Sequence, residues 1–160
     1  MSNIEYYFNK GISSPEGIFS QPCDTLVIPV NSQGVAGAGM AYGWKKRFPF
    51  EANKYKQVCQ LNNFNSMKPF FVRNVSTQNP QRFLMFFSKK HWTKPSKIDY
   101  MISGLQAMVQ IGSQELGPVV ALNQMGCGLG GLDWAVVQTY YEQFLTQIPE
   151  TRFIVWIQRK

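Results

Sequence analysis

The chain has 160 residues, 44% of them hydrophobic and 14% aromatic, and its formal net charge at pH 7 is +7. Such a composition is typical of one folded domain, predicted to span residues 1–160, and it excludes a disordered chain. The sequence has neither a run of eighteen apolar residues nor the basic-then-apolar start of a signal peptide. We therefore expect a cytoplasmic protein without membrane contact. The positive charge either attracts polyanionic partners or serves solubility.

The cysteine and histidine content limits the chemistry. The chain has three cysteines, Cys23, Cys59 and Cys127, and none of them forms a C-x-x-C pair. Because their number is odd and no such pair exists, we predict a reducing compartment and no disulfide framework. The chain has a single histidine, His91. A zinc site is therefore not expected, and neither a metal nor another cofactor is predicted.

Short apolar runs alternate with amphipathic stretches along the whole chain. The predicted strands cover residues 4–8, 25–30, 69–75, 82–87, 119–122 and 152–157, with a further short strand at 17–19. The predicted helices begin near residue 40, cover residues 50–62, run from residue 97 to about 111, and cover residues 133–148. Ser96, with Asp99 three residues later, is the expected N-cap of the third helix, and Asp133 that of the fourth. This alternation predicts an α/β fold with a mainly parallel or mixed sheet.

A first glycine loop, residues 31–39, follows the strand at 25–30 and precedes a helix. It contains Gly34, Gly37 and Gly39. Backbone N–H groups at a helix start are unpaired and bind anions, and glycines let a phosphate approach them closely. The spacing matches neither the dinucleotide fingerprint nor the P-loop, so a phosphate site and a plain tight turn are equally open.

A second glycine loop, residues 126–131, again lies between a predicted strand and a predicted helix. Ligands of such folds bind at the carboxyl ends of the strands. We therefore predict that the two loops face each other across one cleft, which would suit a diphosphate. Lys89 follows the strand at 82–87 and is expected to lie between the two loops in the sheet.

Basic residues form two clusters. The first comprises Lys45, Lys46 and Arg47, and the second comprises Lys89, Lys90, Lys94 and Lys97 around His91 and Trp92. Positive charge interleaved with aromatic rings is typical of nucleic-acid surfaces. The candidate nucleic-acid-binding residues are Lys90, His91, Trp92 and Lys94. Trp92 either stacks on a base or closes the core.

Three motifs, in this order, resemble those of a macrodomain. They are Val30-Asn31-Ser-Gln-Gly-Val-Ala-Gly-Ala-Gly-Met-Ala41, Phe87-Ser-Lys-Lys-His-Trp92 and Gln124-Met-Gly-Cys-Gly-Leu-Gly-Gly-Leu-Asp-Trp134. The resemblance covers essentially the whole chain. It points to the branch that contains the antitoxin macrodomains of DarT–DarG systems, which remove ADP-ribose from thymidine bases in DNA. The animal terminal ADP-ribose glycohydrolase belongs to the same branch.

The resemblance implies a three-layer α/β/α macrodomain sandwich and an ADP-ribosyl glycohydrolase that acts on nucleic acid. It implies that Lys89 is required for cleavage and that Asn31 lies near the distal ribose and belongs to the catalytic set. The ADP-ribose-binding residues that it implies are Gly34, Val35, Gly37, Ala38, Gly39, Met40, Ser88, Gly126, Cys127, Gly128, Leu129 and Gly130. A lysine that acts as nucleophile or base must be partly neutral, which burial beside the apolar strand at 82–87 would favour.

The expected substrate is ADP-ribosylated single-stranded DNA, and a DarT-like toxin is a possible partner of a monomeric chain. Both an antitoxin role and a phage counter-defence role fit this assignment. An ADP-ribose 1″-phosphate phosphatase and a non-catalytic ADP-ribose reader are the alternatives.

Three positions depart from the family pattern. Gly17 stands where macrodomains usually have an adenine-binding aspartate, with Glu16 adjacent, and Ile28 replaces a second asparagine before the first loop. Gly130 stands where the animal glycohydrolase has a catalytic aspartate. The DNA-directed branch also has glycine there, so this departure selects between branches.

Overall fold

The computed structural model describes residues 2–8, 16–61 and 67–158 of the chain. Strands and helices follow one another within these ranges as β1 (Ile4–Phe8), α1 (Glu16–Phe19), β2 (Thr25–Asn31), α2 (Gly39–Arg47), α3 (Pro49–Leu61), β3 (Phe70–Arg73), β4 (Arg82–Lys89), α4 (Ile98–Leu116), β5 (Val119–Asn123), α5 (Trp134–Leu145) and β6 (Arg152–Ile157). The six longer predicted strands and the four predicted helices are all present. The predicted end of α3 at residue 62 lies outside the described residues.

The strands form one sheet in the order β1-β6-β5-β2-β4-β3. Every neighbouring pair is parallel except β3 and β4, which are antiparallel. The prediction of a mixed, largely parallel sheet is therefore confirmed. Strands β5, β2 and β4 are adjacent and parallel, so their carboxyl ends lie at the same edge of the sheet.

Helices cover both faces of the sheet and make three layers. One face packs against α1, α2 and α3, where the fully buried Trp44 meets Phe83 edge-on with ring centroids 5.3 Å apart. The other packs against α4 and α5, whose fully buried residues include Leu105 and Tyr141. Strand β4 lies between two strands and two helical layers. This position explains its nearly continuous apolar sequence.

Two predictions of local structure are wrong. Residues 17–19 belong to the short helix α1 rather than to a strand, and Ile18 packs into the core beneath it. The N-cap of α4 is Lys97, without a side-chain hydrogen bond, so Ser96 does not cap the helix. Asp133, in contrast, does cap α5, because its carboxylate accepts a hydrogen bond from the N–H of Ala135 at 3.0 Å.

Helix α4 also runs further than predicted. It continues to Leu116 across an interruption at Gly112, whose φ of 80° and ψ of 172° are not helical. No helix in the described ranges is both long enough and apolar enough to span a bilayer.

Candidate active site

A cleft of about 1170 Å³ opens at the carboxyl ends of β5, β2 and β4. Both glycine loops and the end of β4 line it. The predicted ligand-binding residues along its wall are Val35, Gly37, Ala38, Gly39, Met40, Ser88, Gly126, Cys127, Gly128, Leu129 and Gly130, together with Asn31 and Lys89. The structure thus brings the two loops to one cleft, as the sequence predicts.

Asn31 determines the shape of the first loop. Its side-chain N–H donates to the carbonyl of Val35 at 2.7 Å, and its Oδ1 accepts from the N–H groups of Gln33 and Val35 at 3.1 and 3.2 Å. The Tyr55 hydroxyl donates to the Asn31 carbonyl at 2.6 Å from beneath. Burial, together with the nearby Cys59, raises the pKa of Tyr55, so the hydroxyl stays a neutral donor. Because the carboxamide of Asn31 is engaged in these contacts, its place in the catalytic set stays a prediction.

The glycines of the first loop have different surroundings. Gly34 has a φ of +76° and packs on α3, where an added Cβ would lie 3.1 Å from the Cα of Lys56. It does not line the cleft, unlike the rest of the predicted set. An added Cβ at Gly37 would meet nothing closer than 3.8 Å. Gly34 therefore contributes to the loop's shape, and Gly37 leaves open space in front of the backbone.

The start of α2 faces the cleft. Its N-cap, Ala38, makes no side-chain hydrogen bond, and Gly39, Met40 and Ala41 of the first turn all line the cleft. The N–H groups of a first helical turn have no intrahelical acceptor, and they lie at the positive end of the helix dipole. This wall of the cleft is therefore suited to an anion.

The second loop is anchored from below and closely packed. Tyr141, fully buried, donates its hydroxyl to the Asn123 carbonyl at 2.7 Å and accepts from the N–H of Met125 at 3.0 Å. An added Cβ at Gly130 would lie 2.3 Å from the Oγ of Ser96 and 2.5 Å from the carbonyl oxygen of Gly126. An aspartate at position 130 therefore does not fit this arrangement of the loop.

Lys89 is the last residue of β4, is half-buried and lines the cleft. The prediction that it lies between the two glycine loops in the sheet is wrong. Strand β2 lies between β5 and β4, so the first loop is central and Lys89 flanks it. No ion pair or hydrogen bond engages the lysine's ammonium group within the described ranges.

The connection from Lys89 to α4 is nevertheless attached to both loops. The hydroxyl of Ser32, in the first loop, donates to the Lys90 carbonyl at 2.7 Å. At the other end, the N–H of Ser96 donates to the carbonyl of Gly130 at 3.0 Å. The candidate lysine is therefore carried on a segment that both loops hold.

Trp92 is 55% exposed and lines the cleft, so it does not close the core. Its ring stacks beside that of His91, with centroids 6.1 Å apart, and Lys90 and Lys94 are exposed on the same connection. His91, Lys90 and Lys94 lie beside the cleft rather than in its wall. These four residues form a basic and aromatic rim, called the cleft rim below.

The other basic cluster lies elsewhere. Lys45, Lys46 and Arg47 form the last turn of α2, a nine-residue helix that begins in the cleft. At 1.5 Å of rise per residue, the cluster lies about 9–12 Å along the helix axis from the helix start. Arg47 also stacks its guanidinium on the ring of Phe19, 4.6 Å from the centroid.

Cys127 is half-buried in the second loop. Burial, and to a smaller extent the Asp133 carboxylate, raises its pKa to about 11. The group is therefore a thiol at neutral pH and not an activated nucleophile.

Sequence reasoning missed several residues of the cleft. Ser96 and Asn123 line it, and each has a buried side-chain oxygen without a hydrogen-bond partner in the described part of the chain. Trp156 and Gln158 reach the cleft because β6 lies beside β5. A polar residue such as Asn123 directly after a predicted strand was the available signal. At the position where macrodomains usually have the adenine-binding aspartate, Gly17 is buried, and its neighbour Ile18 lines the cleft.

The chain is similar to known proteins in sequence and in fold. No family model matches the chain. The chain is 31% identical over 133 residues to the DNA ADP-ribosyl glycohydrolase of Mycobacterium tuberculosis, a match that covers 83% of this chain and 38% of the relative. The chain therefore spans less than half the length of that curated relative.

Two solved structures are similar in both fold and sequence. The macrodomain of Mycobacterium tuberculosis DarG has a TM-score of 0.83 and 29% identity, over 95% of this chain and 97% of that one. Thermosipho africanus DarTG, solved in complex with ADP-ribose, has a TM-score of 0.78 and 31% identity, over 88% of this chain and 39% of that one.

Proposed function

Because this chain is a macrodomain similar to those of DarG proteins, we propose that it binds ADP-ribose in the cleft and removes it from thymidine in single-stranded DNA. The observation that carries the proposal is the meeting of Lys89 and both glycine loops in one cleft. In this proposal the chain acts as a monomer in the cytoplasm. Its role is to oppose a DarT-like toxin, as an antitoxin or as a phage counter-defence protein.

The first turn of α2 supports diphosphate binding. Residues 39–41 line the cleft, and their N–H groups, as those of a first helical turn, have no intrahelical acceptor and stabilise negative charge. Ligand pockets typically enclose about 300–1,000 Å³, so a cleft of about 1170 Å³ has room for a dinucleotide-sized ligand. The second loop then faces the distal ribose.

Cleavage breaks the bond between the anomeric carbon of the distal ribose and the thymine nitrogen. The carbon takes up a hydroxyl group from water, the nitrogen takes up a proton, and ADP-ribose and thymidine DNA are released. Positive charge develops on the sugar in the transition state. Lys89 lies at the end of β4, where its side-chain nitrogen acts on the reacting or opened sugar.

The cleft rim supports a nucleic-acid substrate. Trp92 offers an exposed ring for base stacking, and Lys90 and Lys94 supply positive charge beside it. A free ADP-ribose derivative would not need this surface.

One experiment tests the proposal. The protein is incubated separately with ADP-ribosylated-thymidine DNA, ADP-ribose 1″-phosphate and free ADP-ribose. Product release and binding are recorded for each. We expect release of ADP-ribose from the DNA, binding of free ADP-ribose, and no phosphate release. Phosphate release alone would identify a phosphatase, and binding without any cleavage would identify a reader.

A further inference from the structure

Ser96 lines the cleft and carries a buried hydroxyl that no group in the described part of the chain uses. The residue is 5% exposed, lines the cleft, and its Oγ has no hydrogen-bond partner in the described part of the chain. A buried polar atom without a partner destabilises the folded state, so such atoms are uncommon. Since Ser96 is part of the cleft wall, a bound ligand is a candidate partner for this oxygen.

The local geometry explains why the hydroxyl faces the second loop. Ser96 does not cap α4, since Lys97 takes that position. Its N–H donates instead to the carbonyl of Gly130 at 3.0 Å, which places the side chain against the loop. An added Cβ would lie 2.3 Å from the Ser96 Oγ at Gly130, and 3.3 Å from the Ser96 Cβ at Gly126. Both glycines thus leave room for this hydroxyl.

The segment that carries Ser96 also carries Lys89. It is held to the first loop through Ser32 and Lys90, and to the second through Ser96 and Gly130. A ligand that contacts Ser96 therefore contacts the same short connection that holds the candidate catalytic lysine.

Resting on the proposed function, we infer that the Ser96 hydroxyl donates a hydrogen bond to a sugar–phosphate oxygen of ADP-ribose. The acceptor belongs to the part of the ligand that the second glycine loop holds, either the distal ribose or the diphosphate. Bound ADP-ribose then supplies the partner that the fold does not.

The test compares Ser96→Ala with Ser103→Ala, which changes an exposed serine of α4. Loss of one ligand hydrogen bond predicts about tenfold weaker ADP-ribose binding by Ser96→Ala. Its thermal midpoint should be unchanged or slightly raised, because alanine removes a buried oxygen without a protein partner. Ser103→Ala should change neither quantity. A purely structural serine gives the opposite result, a lower midpoint with unchanged affinity, and that result would overturn the inference.

A second ligand locates the acceptor. ADP contains the diphosphate but lacks the distal ribose. Weaker binding of ADP-ribose alone assigns the contact to the ribose, and weaker binding of both ligands assigns it to the diphosphate. If the unmodified protein does not bind ADP-ribose, the proposed function fails and this contact with it. If it binds and Ser96→Ala binds equally well, only the contact is refuted.

Discussion

Lys89 is the single basic side chain that lines the cleft within the described residues. We predict that Lys89→Ala keeps ADP-ribose binding, since the glycine loops are untouched, but loses about 100-fold or more of the cleavage rate. Lys89→Arg should lose nearly as much of the cleavage rate, because a guanidinium stays protonated and cannot act as nucleophile or base. The measurement is single-turnover release of ADP-ribose from modified DNA.

Lys90→Ala is the matched control for that prediction. Lys90 is exposed on the cleft rim and does not line the cleft. Its loss should weaken DNA binding more than it slows turnover. Cleavage by Lys89→Ala at the unmodified rate would refute the lysine mechanism and make Asn31, with a loop-bound water, the better candidate.

At single positions, the sequence predicts those structural features that depend on residues nearby in the chain. Asp133 could be identified as a helix cap because the helical pattern starts directly after it. The position of the Ser96 hydroxyl could not be predicted in this way, because it depends on Gly130, which lies much further along the chain. The exposure of Trp92 depends likewise on how the connection after β4 is tied to the first loop. The side-by-side order of β5, β2 and β4 is equally non-local, which is why the position of Lys89 was misjudged.

In the glycine loops, the protein atoms around each glycine indicate whether a substitution there should affect ligand binding or folding. An added Cβ at Gly37 would meet nothing closer than 3.8 Å, and one at Gly128 nothing within 4 Å, apart from the adjacent residues of the chain, so valine should fold there but block the phosphate. We predict at least about tenfold weaker ADP-ribose binding by calorimetry, with thermal midpoints close to the unmodified value. Undiminished binding by both variants would remove the diphosphate assignment.

Gly34→Val is the contrasting variant. Its φ of +76° and the backbone of Lys56 at 3.1 Å make any side chain strained there. The free energy of unfolding should fall by about 2 kcal/mol or more. Comparable stability of the Gly34 and Gly37 variants would contradict the division between a shaping and a contacting glycine.

Glu51 joins helix α3 to the loop after β3. Its buried carboxylate accepts hydrogen bonds from the N–H groups of Val75 and Ser76, at 2.9 and 3.0 Å, and from the Ser76 hydroxyl. Burial alone would raise the pKa of Glu51, but these hydrogen bonds outweigh it and hold the pKa below the ordinary 4.5. A lowered pKa in the folded state means that the ionised carboxylate stabilises the fold above pH 4.5. This stabilisation is lost as the pH falls through the folded-state value.

Glu51→Gln should therefore lower the free energy of unfolding by about 1–3 kcal/mol at pH 7, because an amide N–H would face the donors of the loop. The loss should be smaller at pH 3, because below pH 4.5 the carboxyl takes up a proton on unfolding and its contribution to stability decreases. Urea unfolding at both pH values measures this. Glu150→Gln, at an exposed position, is the control, and an equal loss at pH 7 and pH 3 would exclude the ionised carboxylate as the cause.

Whole elements were easier to predict than their ends. The strands of the central sheet are apolar runs of adequate length, such as β4, and the helices α3 and α5 show a clear helical period. Three residues at 17–19 are too few to distinguish a helical from a strand period, and there the prediction failed. Gly112 inside α4 marked an interruption that the surrounding apolar period concealed.

At the scale of the molecule, two basic clusters lie apart from each other, one at the cleft rim and one at the far end of α2. If the rim guides DNA, the affinity for modified single strands should fall steeply with salt, and that for free ADP-ribose much less. Replacing both Lys90 and Lys94 with alanine should reduce the logarithmic salt slope by about 1.4, at roughly 0.7 per lost phosphate contact. The same change at Lys45 and Lys46, about 9–11 Å along the helix from its start in the cleft, should reduce the slope less. Equal salt slopes for DNA and ADP-ribose would mean that the charge serves solubility.

Strands β1 and β6 are parallel neighbours, so the start of β1 and the end of β6, near the two ends of the described chain, lie at opposite ends of the strands. Asn3 is held beside the start of β6 through the carbonyls of Ile148 and Thr151, whereas Gln158, just after the end of β6, lines the cleft. A label or carrier protein attached before Ile4 therefore begins on the side away from the ligand. One attached after Gln158 begins beside the cleft, where it can hinder a DNA strand more than a free nucleotide. Fluorophores for binding assays belong at the first end, and distance probes that report cleft occupancy belong at the second.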